Sequence, residues 1–306
     1  MSHPIQPTPV EALTRINLDD VINGFGLGNV HHGRSLLEWP FRSTAAKFAR
    51  MVLDYDRSVA KAGLREGSRR FLDRLAIQWT VEGQENVPSS GPLLILSNHP
   101  GMTDTVSLFA SISRDDLRIV SAERPFLKEL VAINRQLINI PEQSEGRLAV
   151  LRAVSAHLKA GGTILTFPAG QIEPDPAVLP GAVDSLKEWS SSIGLFVRLT
   201  PAAQIIPAVV SSVLAPQATL HLLTRFRRAS KDRERLGATL QLMAMVLFPR
   251  LWSLTVHVRF APAIPATELI SLHDPEAITQ AFRDRFKPFM ENVVNLELRN
   301  PYSPPG

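Results

Sequence analysis

Apolar and polar positions change rhythm along this chain. Over residues 1 to about 35, prolines and glycines are scattered and no period is firm. Between Trp39 and Leu75 the spacing becomes helical. Ala45, Phe48, Ala49, Val52, Tyr55 and Val59 recur at steps of three and four, and Phe71, Leu72 and Leu75 continue the stripe. The stretch "AGLREGS" divides it, so two helices are predicted.

The texture then alternates between short apolar runs and helical periods. "IQWTVEG" reads as a half-buried strand, "VPSSGP" as a turn, and "LLILSN" as a fully buried strand. Thr103 to Ser111 reads as a helix, "LRIVSA" as a strand, "PFLKELVAINRQ" as a helix and "LINIP" as a short strand. "GRLAVLRAVSAHLKAGG" is a predicted helix, with Ala149, Ala153 and Ala156 beside Leu148, Leu151 and Leu158, closed by glycine. "TILTFP" is a strand, "DSLKEWSSSIGLFVRL" a helix, "QIIPAVVSSV" a strand with an internal proline, "SLTVHVRFAPAI" a strand and "DPEAITQAFRDRFKPFMENVVN" a helix. Strands alternating with helices predict an α/β fold: a mostly parallel central sheet flanked by helices, with an N-terminal helical segment. The predicted division is a helical segment over 1–75, a main domain over 76–300 and a tail over 301–306.

Composition narrows the chemistry. The 306 residues include no cysteine, which removes disulfides, thiolate metal sites and a cysteine nucleophile. No G-x-S-x-G elbow occurs, so a serine acyl-enzyme is not expected. The first twenty residues lack the basic head and apolar body of a signal peptide, which predicts a cytoplasmic location. The apolar run Leu240 to Val256 is broken by Pro249 and Arg250 and is read as a helix then a strand, not a membrane span. The net charge is +4, and Thr224 to Arg235 alone holds six basic and two acidic residues. Such a cluster suits an anionic surface. Phe226 is its only aromatic residue, which argues against nucleic acid.

Two stretches carry candidate chemistry. In "LSNHPGMTD" a buried strand ends on Asn98 and His99, and Asp104 follows in the first turn of a helix. A carboxylate on one imidazole nitrogen fixes the tautomer and leaves the other as a base. Gly101 leaves the backbone open to a substrate. "LTFPAGQIEP" repeats the strand-to-loop pattern with Phe167, Pro168, Gly170 and Gln171. Amides near Gly101 or Gly170 are candidate donors to an oxyanion.

The ordered set "WTVEGQENVPSSGPLLILSNHPGMTD", "FPAG" and "IIPAVV" resembles the glycerolipid acyltransferase family over about Ile77 to Ile264. Asn98, His99 and Asp104 match its first motif. Phe167, Pro168 and Gly170 match its third, and Pro207 its fourth. The resemblance implies acyl transfer from an acyl thioester, on coenzyme A or acyl-carrier protein, to a lysophospholipid or glycerol-phosphate hydroxyl. It implies no metal and no further cofactor. The amphipathic helices of residues 41–75 and the basic cluster of residues 225–235 predict reversible contact with anionic lipid, and so a peripheral place on the inner face of the cell membrane. The departures are Ala169 for the third motif's glutamate, Gln171 for its threonine and Ile172 for its arginine, the group implied to grip a phosphate. Arg147, Arg124, Lys128 and the 225–235 cluster are the candidate replacements. A phosphate-free amine or hydroxyl acceptor, or a lipid-binding homologue with an impaired site, are the alternative readings.

Overall fold

The structure, a computed structural model, describes residues 7–141, 146–227 and 229–299. The predicted tail, residues 142–145 ahead of Arg147, and Arg228 of the basic cluster lie outside these residues. The chain forms two compact units: residues 1–77, 124–135 and 214–254 make one, and 78–123, 136–213 and 255–306 the other.

The first unit is helical. It holds α1 (Pro9–Gly24), α2 (Arg34–Glu38), α3 (Arg42–Arg74), α5 (Pro125–Lys128), α6 (Val131–Asn134), α9 (Pro216–Thr219) and α10 (Ser230–Leu247). The patternless N-terminus thus contains a helix. Its start is a capping box: Thr8 Oγ1 accepts from the Glu11 amide at 3.3 Å, the Glu11 carboxylate accepts from the Thr8 amide at 2.8 Å, and Pro9 occupies the first turn. Gly63 leaves helical geometry at φ 82°, so α3 is two helices, as the sequence predicts. Across that break Tyr55 stacks on Phe71 at 4.6 Å and meets Ser68 at 2.7 Å. The α3 stripe of Ala45, Phe48, Ala49, Val52 and Tyr55 is buried within the protein. The single helix predicted over "PFLKELVAINRQ" is two short ones. Buried Leu130 between them is non-helical, at φ −104° and ψ 83°.

The second unit is α/β. It contains β1 (Ile77–Glu82), β2 (Leu93–Ser97), α4 (Met102–Ser111), β3 (Leu117–Ala122), β4 (Leu137–Ile140), α7 (Arg147–Lys159), β5 (Thr163–Thr166), α8 (Ser192–Leu199), β6 (Gln204–Ser211), β7 (Leu254–Phe260), β8 (Ile264–Pro265) and α11 (Pro275–Arg299). The sheet order is β1-β7-β6-β2-β5-β3-β4, with β8 also pairing β6. β2 pairs in parallel with β5 and β6, as does β3 with β5 and β4, while β7 and β8 run antiparallel to β6. β2 is buried throughout, and apolar over its first four residues, because it is central and covered on both faces. One face packs Leu94, Leu96, Ile164 and Ile205 against Val154 and Leu158 of α7, Phe196 of α8, and Phe282 and Phe286 of α11. The buried line of α7 is therefore Val150, Val154 and Leu158. Ala149, Ala153 and Ala156 face outward, and Leu148 is 63% exposed.

The long helix predicted from Asp184 to Leu199 is also interrupted. A 3₁₀ turn over Asp184–Glu188 and α8 are separated by Trp189, extended and buried. Pro207 sits centrally in β6. Its carbonyl accepts from Ala261 at 2.9 Å, so its missing amide points toward the gap where β7 hands over to β8.

Candidate active site

The parallel strands deliver their following loops to one edge of the sheet, the usual place for a site in such folds. At the end of β2, Asn98 is 1% exposed. Its side-chain nitrogen donates to the Val210 carbonyl at 2.9 Å, and its oxygen accepts from the Val210 amide at 2.8 Å. Asn98 thus anchors the loop to β6 with its whole amide.

His99 comes next. Its Nδ1 lies 2.9 Å from Asp104 Oδ2 and 3.2 Å from Oδ1. Asp104 is fully buried in the first turn of α4, where the helix start favours a carboxylate. It also accepts from the Gly101 amide at 2.9 Å and from Thr105 Oγ1 at 2.8 Å. Its orientation is thereby fixed before it meets the imidazole. The His99 side chain remains 26% exposed, with Nε2 turned from the carboxylate. Burial works to lower the His99 pKa. The Asp104 charge, its hydrogen bond and the Glu173 charge outweigh burial, and the net direction is upward.

The loop after β5 closes over the other side. Phe167 stacks on His99 with ring centres 4.5 Å apart. Gly170 takes φ 64° in a turn whose amide donates to the Phe167 carbonyl at 3.0 Å. Buried Pro168 accepts from the Ser190 amide at 3.0 Å. Ala169 packs at the edge of the core, while Gln171 and Ile172 are exposed, Ile172 by 60%.

Sequence reasoning missed the residue that follows. Glu173 is 4% exposed. Its Oε2 accepts from the His99 amide at 3.0 Å, and its own amide donates to the His99 carbonyl at 2.8 Å. Ser185 and the Trp189 indole both donate to Oε1 at 2.8 Å. Burial raises the Glu173 pKa against the opposing pull of these donors. Two residues on, fully buried Asp175 accepts from the Ser212 and Val213 amides at 2.9 and 2.7 Å. The local signal was the alternation of two carboxylates with prolines in "EPDP".

Of the amides near Gly101 and Gly170, those of the two glycines themselves are committed within the protein: Gly101 donates to Asp104, and Gly170 to Phe167. Glycine at 101 is not demanded by strain, since its backbone is extended and an added Cβ would meet Val213 at an ordinary 3.7 Å. Arg147 is exposed at the start of α7, after β4 on the same sheet edge as His99. Arg124 and Lys128 are exposed on the helical unit, at the N-cap and last residue of α5. Among the described residues no cluster of three or more histidine and carboxylate groups could hold a metal ion.

Residues 78–211 match the family model described as Acyltransferase. This segment is an acyltransferase domain. It runs from β1 to the end of β6 and includes His99, Asp104, Phe167 and Glu173. No curated protein matches the chain. Among solved structures, the chain is similar to the 1-acyl-sn-glycerophosphate (LPA) acyltransferase PlsC from Thermotoga maritima, at 15% identity over 95% of this chain and 99% of that one, with a TM-score of 0.41.

Proposed function

We propose that the acyltransferase moves a fatty acyl group from an acyl thioester to the hydroxyl of a lysophospholipid or glycerol-phosphate acceptor. The observation that carries this is the 2.9 Å contact of Asp104 with His99 Nδ1, in a side chain that stays 26% exposed, which leaves Nε2 as the nitrogen not held by the carboxylate. Nε2 takes the proton of the acceptor hydroxyl as its oxygen attacks the thioester carbonyl. Asp104 stabilises the imidazolium that forms. The tetrahedral intermediate collapses with loss of the thiolate, which recovers the proton from His99. The chain contains no cysteine, so transfer is direct and not through a thiol acyl-enzyme. The Gly101 and Gly170 amides are engaged elsewhere, so in this reading the oxyanion is met by other main-chain donors near those glycines.

A phosphate-free acceptor, amine or hydroxyl, is the second reading. It is favoured by exposed Ile172, which offers a phosphate no hydrogen bond at the position of the motif's arginine. A disabled lipid-binding site is disfavoured by the intact His99 and Asp104 pairing. The test is thioester consumption by purified protein with 1-acylglycerol 3-phosphate, with a neutral or amine acceptor, and with none. Acceptor-dependent thiol release supports transfer. Release without acceptor signifies hydrolysis, and no release under any condition rejects catalysis.

The lipid acceptor is met at an anionic membrane surface, with the chain peripheral to it. The α3 stripe is buried, so it does not supply the contact. The support lies in residues 214–254. Leu222, Phe226, Phe248 and Leu251 are exposed by 69, 82, 62 and 57%. Arg225, Lys231, Arg233, Arg235 and Arg250 are exposed in the same segment. Seven basic and two acidic residues give that segment +5, against +4 for the chain. Apolar tips with basic neighbours suit an anionic bilayer surface. Among the described residues no helix is long and apolar enough to cross a membrane.

A further inference from the structure

We propose that Glu173 is a positioning residue for the base, clamping the His99 main chain from both sides and setting the electrostatic environment of its ring. The inference rests on His99 acting as the base in acyl transfer.

The geometry is a closed pair. The His99 amide donates to Glu173 Oε2 at 3.0 Å, and the Glu173 amide donates to the His99 carbonyl at 2.8 Å. One residue thus fixes both backbone groups of the base. The other carboxylate oxygen is held by Ser185 and Trp189 at 2.8 Å each, so the clamp has little freedom. Trp189 is 1% exposed and packs against Phe282 and Phe286, which ties the clamp to the core under the sheet. Asp175 performs a parallel task at the end of β6. The segment 173–175 therefore joins the ends of β2 and β6, the strands that Asn98 also links.

The placement matters because the third motif lacks its usual carboxylate, with Ala169 in that position. Glu173 returns a carboxylate to the same loop four residues later. A buried acceptor for a backbone amide need not be charged, and a serine or main-chain carbonyl could serve structure alone. A carboxylate at this point also acts on the ring. The charged groups acting on His99 are Asp104 from α4 and Glu173 from this loop. Removing the Glu173 charge lowers the His99 pKa, and the acid limb of the rate profile moves to lower pH.

The experiment uses the full chain with three variants: Glu173→Gln, Glu173→Asp and Ser185→Ala. Turnover is followed across pH by thiol release, and the His99 imidazole is titrated by NMR without substrate. Glu173→Gln is expected to lower kcat about ten- to hundredfold, as for a reacting group misplaced by about 1 Å. KM for the thioester should change less than about twofold, while the acid limb and NMR midpoint shift together to lower pH. Glu173→Asp keeps the charge and should restore the midpoint more fully than kcat. Ser185→Ala removes one donor to Oε1 with little loss of volume and should move both readouts the same way by a smaller amount. If Glu173→Gln does not fold, Ser185→Ala decides the matter. Folded variants with unchanged kcat and midpoint overturn the proposal, and lowered melting temperature alone assigns Glu173 to stability. A shifted midpoint with unchanged turnover, in an enzyme that also survives His99→Ala, leaves the clamp standing and removes His99 as the base.

Discussion

Asn98 extends the β2–β6 ladder past the end of β2 by one rung, its side-chain amide exchanging two hydrogen bonds with the main chain of Val210 at 2.9 and 2.8 Å. Ser97 opposite Ala208 is the last backbone pair. The asparagine copies a peptide group where the chain itself must turn away to present His99. Asn98→Ala should leave two buried backbone groups unpaired, at about 1–3 kcal/mol each. Asn98→Asp should do no better, since it sets a carboxylate oxygen against the Val210 carbonyl. Thermal melts with kcat on the same samples check this. Wild-type stability in Asn98→Ala would show that the rung carries no weight.

His99→Ala should abolish transfer with the fold intact, because the ring is partly exposed and its partners belong to other residues. Asp104→Asn should reduce kcat by about 10³- to 10⁴-fold, as loss of the orienting carboxylate does in a serine-protease triad. Residual turnover above a few per cent in purified His99→Ala assigns the base elsewhere.

The pH dependence has opposite signs for rate and stability. Burial depresses the His99 pKa, but the Asp104 charge and hydrogen bond and the Glu173 charge outweigh it, and it ends above its ordinary 6.5. A base must be neutral, so kcat/KM should rise with pH through a value above 6.5. The raised pKa stabilises the folded protein fully below the unfolded value, and that stability is lost as pH rises through the folded one. The melting-temperature difference between wild type and His99→Ala should therefore shrink from mildly acidic to alkaline pH. A difference that grows with pH contradicts the pairing.

Membrane binding should follow the exposed tips of residues 220–251. Vesicles rich in anionic lipid should sediment the protein at low salt and less at high salt, since each basic group near the surface is worth about 1 kcal/mol and is screened. Phe226→Ser with Leu222→Ser should weaken binding without changing turnover on a soluble acceptor. Equal recovery with neutral and anionic vesicles rules this surface out.

Acceptor recognition is read from three alanine variants. If a phosphate is bound, one of Arg147, Arg124 or Lys128 should raise KM for 1-acylglycerol 3-phosphate on replacement, with thioester KM nearly unchanged. A lost charge-assisted bond of about 1.5–3 kcal/mol corresponds to roughly ten- to hundredfold. No effect from any of them moves the acceptor to an amine or neutral hydroxyl.

The strand and helix rhythm, and the pairing of His99 with Asp104, were legible because both depend on local spacing. α1 was overlooked even though Thr8, Pro9 and Glu11 spell a helix start, because scattered prolines and glycines obscured the weak stripe behind it. Glu173 and Asp175 were not legible as site residues. Their partners lie 74 and 37 positions away, and no periodicity reports a side chain that bonds a distant main chain. The same holds for the breaks at Leu130 and Trp189, where a buried side chain takes its place at the expense of helical geometry. Residues 124–135 and 214–254 join the N-terminal helices in one unit, an association that sequence order conceals.

Pro207 also acts as a parity marker for β6. Odd-numbered positions near it, through Pro207, turn their peptide groups toward β7 and β8, while Val210 turns toward β2. Shifting β6 by a single residue would aim the imide nitrogen of proline at the central parallel ladder, where a donor is required. It would also swing Val210 away from Asn98. A ring that cannot donate a hydrogen bond thus forbids a one-residue misalignment that would detach the His99 loop from its neighbouring strand.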